Sequence, residues 1–206
     1  MTNDLILVRH ATCEHMDKIL LGRTVDSSLD ARGQQQAAAL ARTIESQREL
    51  PPDLLIVASP RRRAQQTAVA IAEQTQADVV TAPEIDELDF GHWSGRTFQQ
   101  LADDPDWRRW NEQRSVAATP AGERINDVKA RVLGHLQRLC DSFPGRPLAF
   151  VTHAEVIRTL ILHWLDAPID GYHRLVISPA SLTRVSLGDS GVRIDAINHR
   201  SHTEEP

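Results

Sequence analysis

The sequence predicts an α/β protein, a three-layer α/β/α sandwich around a mostly parallel central sheet. Three short apolar runs, at residues 5–8, 54–58 and 148–152, are typical of strands that are buried on both faces. A stretch with helical periodicity follows each run, and this order favours parallel strands joined by crossover helices. Since 41% of the 206 residues are hydrophobic, we expect residues 1–206 to form a single domain with one core.

The first half of the chain repeats the strand-then-helix order twice. After the first run, Asp30 is a suitable cap for a helix whose apolar residues recur at helical spacing. These residues are Ala37, Leu40, Ala41 and Ile44. Pro51 and Pro52 close this unit. The second run is followed by a predicted helix over residues 62–73.

Residues 83–122 interrupt this order. They hold three of the four tryptophans together with several prolines and glycines, so we expect a small, partly helical cap insertion. Helical periodicity then predicts an amphipathic helix over residues 125–139, and a further helix over 156–165. Residues 182–187 and 192–197 are predicted to be strands that complete the sheet. A polar, mobile tail is expected after about residue 198.

Composition restricts the partners. A net charge of −5 argues against nucleic acid, and no apolar run is long enough to span a membrane. Cys13 and Cys140 make neither a metal-ligand pair nor a disulfide framework, which suits a reducing compartment, so a cytoplasmic location is the default. The sequence lacks metal-ligand histidine spacing and a glycine-rich nucleotide loop, so we expect no metal and no cofactor.

Cationic and imidazole side chains follow all three predicted buried strands. They are Arg9 and His10, the turn at residues 59–63, and His153. The carboxyl ends of parallel strands meet at one edge of a sheet, where such groups would bind an anion. Arginines hold phosphate by charge-assisted hydrogen bonds, and a neutral imidazole can accept a phosphoryl group. Each piece alone is compatible with a structural role, but their equivalent positions favour a phosphate site.

Five motifs resemble those of the histidine phosphatase superfamily, which includes phosphoglycerate mutases and fructose-2,6-bisphosphatase. Four of them are LVRHA at residues 7–11, SPRRRAQQTA at 59–68, ELDFGHWSG at 87–95 and VTHAEVIR at 151–158. The fifth is the spacing of Gly22, Asp26, Leu29 and Gly33. The motifs stand in the order of the family, and the resemblance covers nearly the whole chain.

The resemblance implies a metal-independent reaction in which His10 forms a phosphohistidine and Glu87 acts as general acid, then base. It implies that Arg9, Arg63 and His153 stabilise the transition state, His153 as an imidazolium. The reaction rate should therefore depend on pH with a bell-shaped profile. The residues implied to contact substrate are Arg9, His10, Arg63, His153, Ala154 and Arg23. For Arg23, Arg62 and Arg158, a place at the rim of the site and an ordinary surface position both remain open.

Five positions depart from the family pattern, one of them Arg124, which replaces a serine in a loop that Pro120, Gly122 and Glu123 otherwise match. Ala11 replaces a glycine, and Cys13 and Met16 replace polar residues, which weakens the analogy with mutases. A nucleophilic role for Cys13 is not favoured, because the Cys-x5-Arg loop of cysteine phosphatases is absent. Glu155 stands where glycine is frequent; its carboxylate either points away from the phosphate or favours a substrate with a cationic or hydroxyl-rich group.

We therefore expect a phosphomonoester hydrolase of the histidine acid phosphatase type, acting on a small phosphorylated metabolite. Residues 83–122 are expected to set its specificity. The alternatives are phosphoglycerate mutase-type phosphoryl transfer, a non-enzymatic phosphate-binding module, and action on phosphoproteins. A homodimer is compatible with the resemblance.

Overall fold

A six-stranded sheet organises the computed structural model, which describes residues 3–46, 53–188 and 191–200. Its strands are β1 (Asn3–Arg9), β2 (Leu55–Ala58), β3 (Asp78–Thr81), β4 (Leu148–Thr152), β5 (Leu182–Gly188) and β6 (Gly191–His199). The order is β3-β2-β4-β1-β5-β6, with β1 to β4 parallel and β5 and β6 antiparallel. The predicted α/β class with a mostly parallel sheet is confirmed.

Helices cover both faces of this sheet. They are α1 (Ala31–Ser46), α2 (Arg62–Thr75), α3 (Phe98–Ala102), α4 (Pro105–Glu112), α5 (Ile125–Ser142) and α6 (Ala154–Trp164). Side chains of β1 alternate between two cores: Ile6 packs in the cluster that holds Leu40 of α1, and Leu7 in the cluster that holds Leu160 of α6. This alternation follows from the two-residue period of a strand and produces the predicted three layers.

The predicted elements match the structure closely where a buried periodic pattern marks them. Asp30 caps α1 as predicted, since its Oδ1 accepts a hydrogen bond from the Gly33 N–H at 2.6 Å. Strand β3 was not predicted, because it lies at the sheet edge and three of its four residues are exposed. Strand β6 runs one residue past the predicted start of the tail. Residues 201–206 and the Pro51-Pro52 pair lie outside the described residues.

The segment from 83 to 122 contains two 3₁₀-helices, Pro83–Ile85 and Gly91–Trp93, followed by α3 and α4. Its aromatic rings pack on one another: Trp107 stacks on Trp110 with centroids 5.5 Å apart, and Trp93 meets Trp107 edge-on at 5.2 Å. Asp104 fixes the start of α4 by accepting hydrogen bonds from two backbone N–H groups. The role of this segment as a cap stays a prediction.

Within the part of the chain that the structure describes, no helix combines the length and the apolar character needed to cross a membrane.

Candidate active site

His10 follows β1 directly and is buried beside β4. Its backbone N–H donates to the Thr152 carbonyl at 3.0 Å, which holds the turn at the sheet edge. The ring atom Nδ1 lies 2.8 Å from the Ala11 carbonyl oxygen and must carry the proton, since that oxygen can only accept. Nε2 therefore has a lone pair, and Arg63 Nε donates to it at 3.3 Å. The ring is held with Nε2 unprotonated, as a nucleophile requires.

Arg63 and Arg9 supply the positive charge around His10. Arg63 stands in the first turn of α2 and is almost fully buried, and its NH2 donates to the Gly22 carbonyl at 2.9 Å. Arg9 ends β1 and donates through NH1 to the Ile177 carbonyl at 2.7 Å. These backbone acceptors fix both guanidinium groups while adding no opposing negative charge. The pair is suited to a phosphate dianion.

His153 is fully buried at the N-cap position of α6, with its ring centroid 5.1 Å from that of His10. Its Nε2 lies 2.8 Å from Ser59 Oγ, and its Nδ1 lies 3.3 Å from Arg63 NH2. Burial, reinforced by Arg63, lowers its pKa well below the usual 6.5. The ring is therefore neutral at rest, and its expected role as an imidazolium in the transition state stays a prediction.

Glu87 follows the first 3₁₀-helix of the 83–122 segment. Burial raises the pKa of its carboxyl group to about 7, although Arg63 opposes the shift. One carboxyl oxygen accepts from the Leu88 N–H at 2.8 Å, and the other lies 3.7 Å from His153 Nδ1. A carboxyl group with this pKa holds its proton through the acidic range and can donate it near neutral pH.

A cavity of about 270 Å³ opens onto these groups. Of the predicted site residues, Arg9, His10, Arg63, Glu87 and Ala154 line it. His153 lies behind this wall, although its Nδ1 points at Arg63 and Glu87. The rest of the wall includes four aromatic residues of the 83–122 segment, Phe90, Phe98, Trp107 and Trp110, and apolar residues of the loop after His10, among them Met16, Ile19, Leu20 and Leu21. The cavity thus combines a cationic end with an apolar side.

Arg23 and Arg62, two of the three rim candidates, are not placed on the cavity wall. Arg23 Nε donates to the Glu87 carbonyl at 2.6 Å, and its NH2 pairs with Glu123 at 2.7 Å. Arg62 is exposed and lies 3.5 Å from Asp26. The donors described for both arginines are directed at protein acceptors, and a substrate contact of Arg23 stays a prediction.

Glu155 lines the cavity, and its charge is balanced by two arginines. Arg158 NH1 donates to one carboxylate oxygen at 3.0 Å, and Arg114 NH1 donates to the other. Arg114 is itself buried between the rings of Trp110 and Tyr172, 3.7 and 3.2 Å from their centroids. The expected repulsion between Glu155 and a phosphate is therefore offset by the cations around it.

Sequence reasoning assigned no role to Arg114, Arg131 or Asp86. Arg131 donates to the backbone carbonyls of Asp86 and Glu87, at 2.8 and 3.1 Å, and to Glu123. The only sequence feature that could have pointed to Asp86 is its position directly before the ELDFG motif. Arg114 and Arg131 belong to no motif, and only the fold brings them to the site.

The structure shows the surroundings of Cys13 and Met16, two of the residues that depart from the family pattern. Cys13 is buried, and burial raises the pKa of its thiol to about 11, so it is a poor nucleophile at neutral pH. Met16 lines the cavity, and its sulfur accepts a hydrogen bond from Arg9 NH2 at 3.6 Å. Among the described residues, no cluster of His, Cys, Asp and Glu is arranged to hold a metal ion.

The fold and the candidate site together are typical of phosphate-binding proteins in which two histidines and two arginines surround the phosphate. The chain belongs to the histidine phosphatase superfamily (branch 1), whose family model matches residues 5–200. This confirms the family predicted from the motifs.

Two curated relatives illustrate the similarity. The chain is 32% identical over 195 residues to a bifunctional protein of Mycobacterium tuberculosis, and the match covers 92% of this chain but 52% of that protein. The chain thus spans about half the length of that relative. It is also 28% identical over 203 residues to phosphoserine phosphatase 1 of Hydrogenobacter thermophilus, covering 98% of this chain and 94% of that protein.

A solved structure shows the same fold. Mycobacterial glucosyl-3-phosphoglycerate phosphatase in complex with VO3 matches with a TM-score of 0.84 and 30% identity, over 95% of this chain and 99% of that chain. The matched family and these relatives include proteins that are named as phosphatases.

Proposed function

We propose that this chain is a phosphomonoester hydrolase for small phosphorylated metabolites, which works through a phosphohistidine on His10 and needs no metal. The orientation of the His10 ring carries this proposal. Its Nδ1–H is tied to the Ala11 carbonyl, and the Nε2 lone pair lies beside Arg63 in the wall of a cavity that Arg9 shares. A nucleophile with its lone pair fixed beside two cations is the arrangement that phosphoryl transfer requires.

In the first step, His10 Nε2 attacks phosphorus and forms the N–P bond while the bond from phosphorus to the leaving oxygen breaks. Glu87 gives its proton to that oxygen, so the product leaves as an alcohol. Arg9 and Arg63 stabilise the charge on the equatorial phosphoryl oxygens.

In the second step, a water molecule attacks phosphorus and passes a proton to Glu87. The N–P bond breaks, inorganic phosphate leaves, and His10 and Glu87 return to their starting states. Because the pKa of Glu87 is raised to about 7, this one group can both give and take the proton near neutral pH.

The size and lining of the cavity support a small substrate. A volume of about 270 Å³ suits a metabolite, and the aromatic residues of the 83–122 segment meet whatever group carries the phosphate. Two of the relatives are named for phosphoserine and for glucosyl-3-phosphoglycerate, both small phosphate esters. We propose that this segment sets the specificity.

Phosphate release from a panel of small phosphomonoesters, in excess EDTA, tests the proposal. The wild type should turn over some esters, and His10→Ala should lose at least about 10³-fold in rate. His163→Ala is the matched control, because His163 is an exposed histidine of α6, and its rate should stay within about 2-fold. Rapid-quench labelling should trap an acid-labile phosphohistidine in the wild type. Full activity of His10→Ala, or loss of activity in EDTA, contradicts the proposal.

A further inference from the structure

A chain of buried polar groups connects His153 to a carboxylate on its far side from the cavity. His153 Nε2 lies 2.8 Å from Ser59 Oγ, and Ser59 Oγ donates to Asp86 Oδ1 at 3.0 Å. Ser59 is fully buried, and Asp86 is 5% exposed. The mechanism above uses neither residue, although both are positioned behind the phosphate site.

The hydrogen bonds fix the direction of the protons along this chain. Arg63 NH2 can only donate, so His153 Nδ1 accepts from it and the ring proton lies on Nε2. Nε2–H then donates to Ser59, whose own hydroxyl proton goes to Asp86. Asp86 also accepts from the Glu87 N–H at 2.8 Å and pairs with Arg61 at 3.2 Å.

We propose that Ser59 and Asp86 are positioning residues that keep the His153 proton on Nε2 and let Nδ1 take up a second proton from solvent when a phosphate dianion binds. This inference rests on the proposed function, because it places the phosphate beside Arg9, His10 and Arg63. The proposal explains how His153 can be neutral before the anion binds and can still act as a cation that stabilises the transition state.

The charges around His153 explain why the proton is taken up only with the anion. The charged and titratable groups that face or influence the ring are Arg9 and His10 at the end of β1, Arg61 and Arg63 at the start of α2, and Asp86 and Glu87 beside the 3₁₀-helix. The cations among them oppose protonation. A bound dianion cancels that opposition, and Asp86 then stabilises the imidazolium through the Ser59 hydroxyl.

Tungstate binding measures this proton directly, because tungstate is a tetrahedral phosphate analogue that stays a dianion across neutral pH. The affinity is measured between about pH 6.5 and 8.5, where the slope of log Kd against pH equals the protons taken up. Glu87 also titrates in this range, so every protein carries Glu87→Gln. The slope for this background should be about one.

Adding Ser59→Ala or Asp86→Asn to that background should reduce the slope to less than about half and weaken tungstate binding about 10-fold at the acid end. Ser181→Ala is the matched control: its buried hydroxyl makes no hydrogen bond within the described part of the chain. That variant should keep the slope. Ser59→Ala removes only one oxygen, and its melting curve verifies folding.

Nitrogen-15 NMR of the histidine rings gives an independent readout. In the background protein, His153 should show a proton on Nε2 alone without tungstate and on both nitrogens with it. An unchanged slope in folded Ser59→Ala and Asp86→Asn, or a His153 ring that stays neutral with tungstate bound, overturns the relay while leaving the proposed function intact. Failure of the wild type to bind tungstate overturns both.

Discussion

The Arg63 guanidinium donates through Nε to Nε2 of His10 over 3.3 Å. This contact requires a lone pair on that nitrogen, and burial together with Arg63 and Arg9 lowers the pKa of His10 well below its usual 6.5. The nucleophile is therefore unprotonated throughout the neutral range. The group that limits the rate near neutral pH is then Glu87.

The pH profile should be bell-shaped but asymmetric. Glu87, with its pKa raised to about 7, is protonated below that pH and loses its proton above it, so kcat/KM should fall as pH rises through about 7. The acid limb should lie well below 6.5 because of the lowered pKa of His10.

Rates between about pH 4 and 9 on an alkyl ester test this profile. Glu87→Gln should lose about 10²–10³-fold in rate and the alkaline limb with it. An aryl ester, whose leaving group needs no proton, is the control and should lose far less. A flat profile for the wild type, when chemistry limits the rate, contradicts these roles.

Arg131 should support activity from outside the cavity. It donates to the carbonyls of Asp86 and Glu87 and to Glu123. Arg131→Leu removes this donor from the Asp86 carbonyl and leaves Arg23, among the described residues, as the remaining side-chain donor to the Glu87 carbonyl and to Glu123. We expect a loss of about 2–4 kcal/mol in the free energy of unfolding and about 10-fold or more in kcat, as Glu87 loses its alignment.

Arg138 provides the matched control on the same helix. It is 62% exposed and pairs only with Glu84 among the interactions described. Arg138→Leu should change the free energy of unfolding by about 0.5 kcal/mol or less and leave kcat unchanged. Denaturant unfolding and initial rates on both variants separate the two cases. Equal effects of the two substitutions speak against a special role for Arg131.

Glu155 should bias the enzyme against substrates with a second anionic group. Its carboxylate neutralises part of the charge of Arg114 and Arg158, so Glu155→Gln leaves an excess of positive charge in the cavity. The ratio of KM for esters without a carboxylate to KM for esters with one should rise about 3–10-fold.

The control for this prediction is Glu112→Gln, since Glu112 is an exposed glutamate at the end of α4. It changes the net charge equally and should leave the substrate preference as it is. A substrate preference that is unaltered by Glu155→Gln removes Glu155 from the determinants of specificity.

Gly33 should be essential for the loop that follows His10. A Cβ atom at this position of α1 would lie 1.8 Å from the Thr12 carbonyl oxygen, a backbone atom that cannot move away alone. Gly33→Ala should therefore destabilise the fold by about 2–4 kcal/mol and reduce activity, because the displaced backbone is two residues from His10.

Gly134, in the middle of α5, is the comparison. A Cβ there would meet only the end of the Arg138 side chain at 3.6 Å. Gly134→Ala should stabilise the protein by up to about 1 kcal/mol, because alanine has less backbone freedom to lose on folding. Thermal melting of both variants tests this difference in stability. A Gly33→Ala variant that is stable and active would show that the loop after His10 can adapt to the added methyl group.

Local sequence patterns predicted most of the fold. The strands β1, β2 and β4 are continuous apolar runs because both of their faces are covered, and α5 has a clear apolar stripe because one side packs on the sheet. Strand β3 lacked such a signal. It is an exposed edge strand of four residues, and pairing with β2 rather than burial makes it a strand.

Within the candidate site, only the residues that belong to a sequence motif were predicted. His10, Arg63, Glu87 and His153 each belong to a motif, and the fold brings these four side chains together. Arg23 contacts the Glu87 carbonyl in the structure, and the sequence could not indicate this because an arginine has the same sequence signature whether it contacts a ligand or a backbone carbonyl. Arg114 was missed because its neighbours in space, Glu155 and Tyr172, are distant in the chain.

By itself, the sequence determined the class of fold and the family, and it predicted side chains of the candidate phosphate site, because apolar periodicity and motif spacing depend on residues that are close together in the chain. Tertiary structure alone decided which nitrogen of His10 keeps the lone pair and how far the pKa of Glu87 rises. It alone joined His153, through Ser59, to Asp86. The physical reason is that desolvation and hydrogen-bond direction depend on groups far apart in the chain, as His153 and Ser59 are, 94 residues apart.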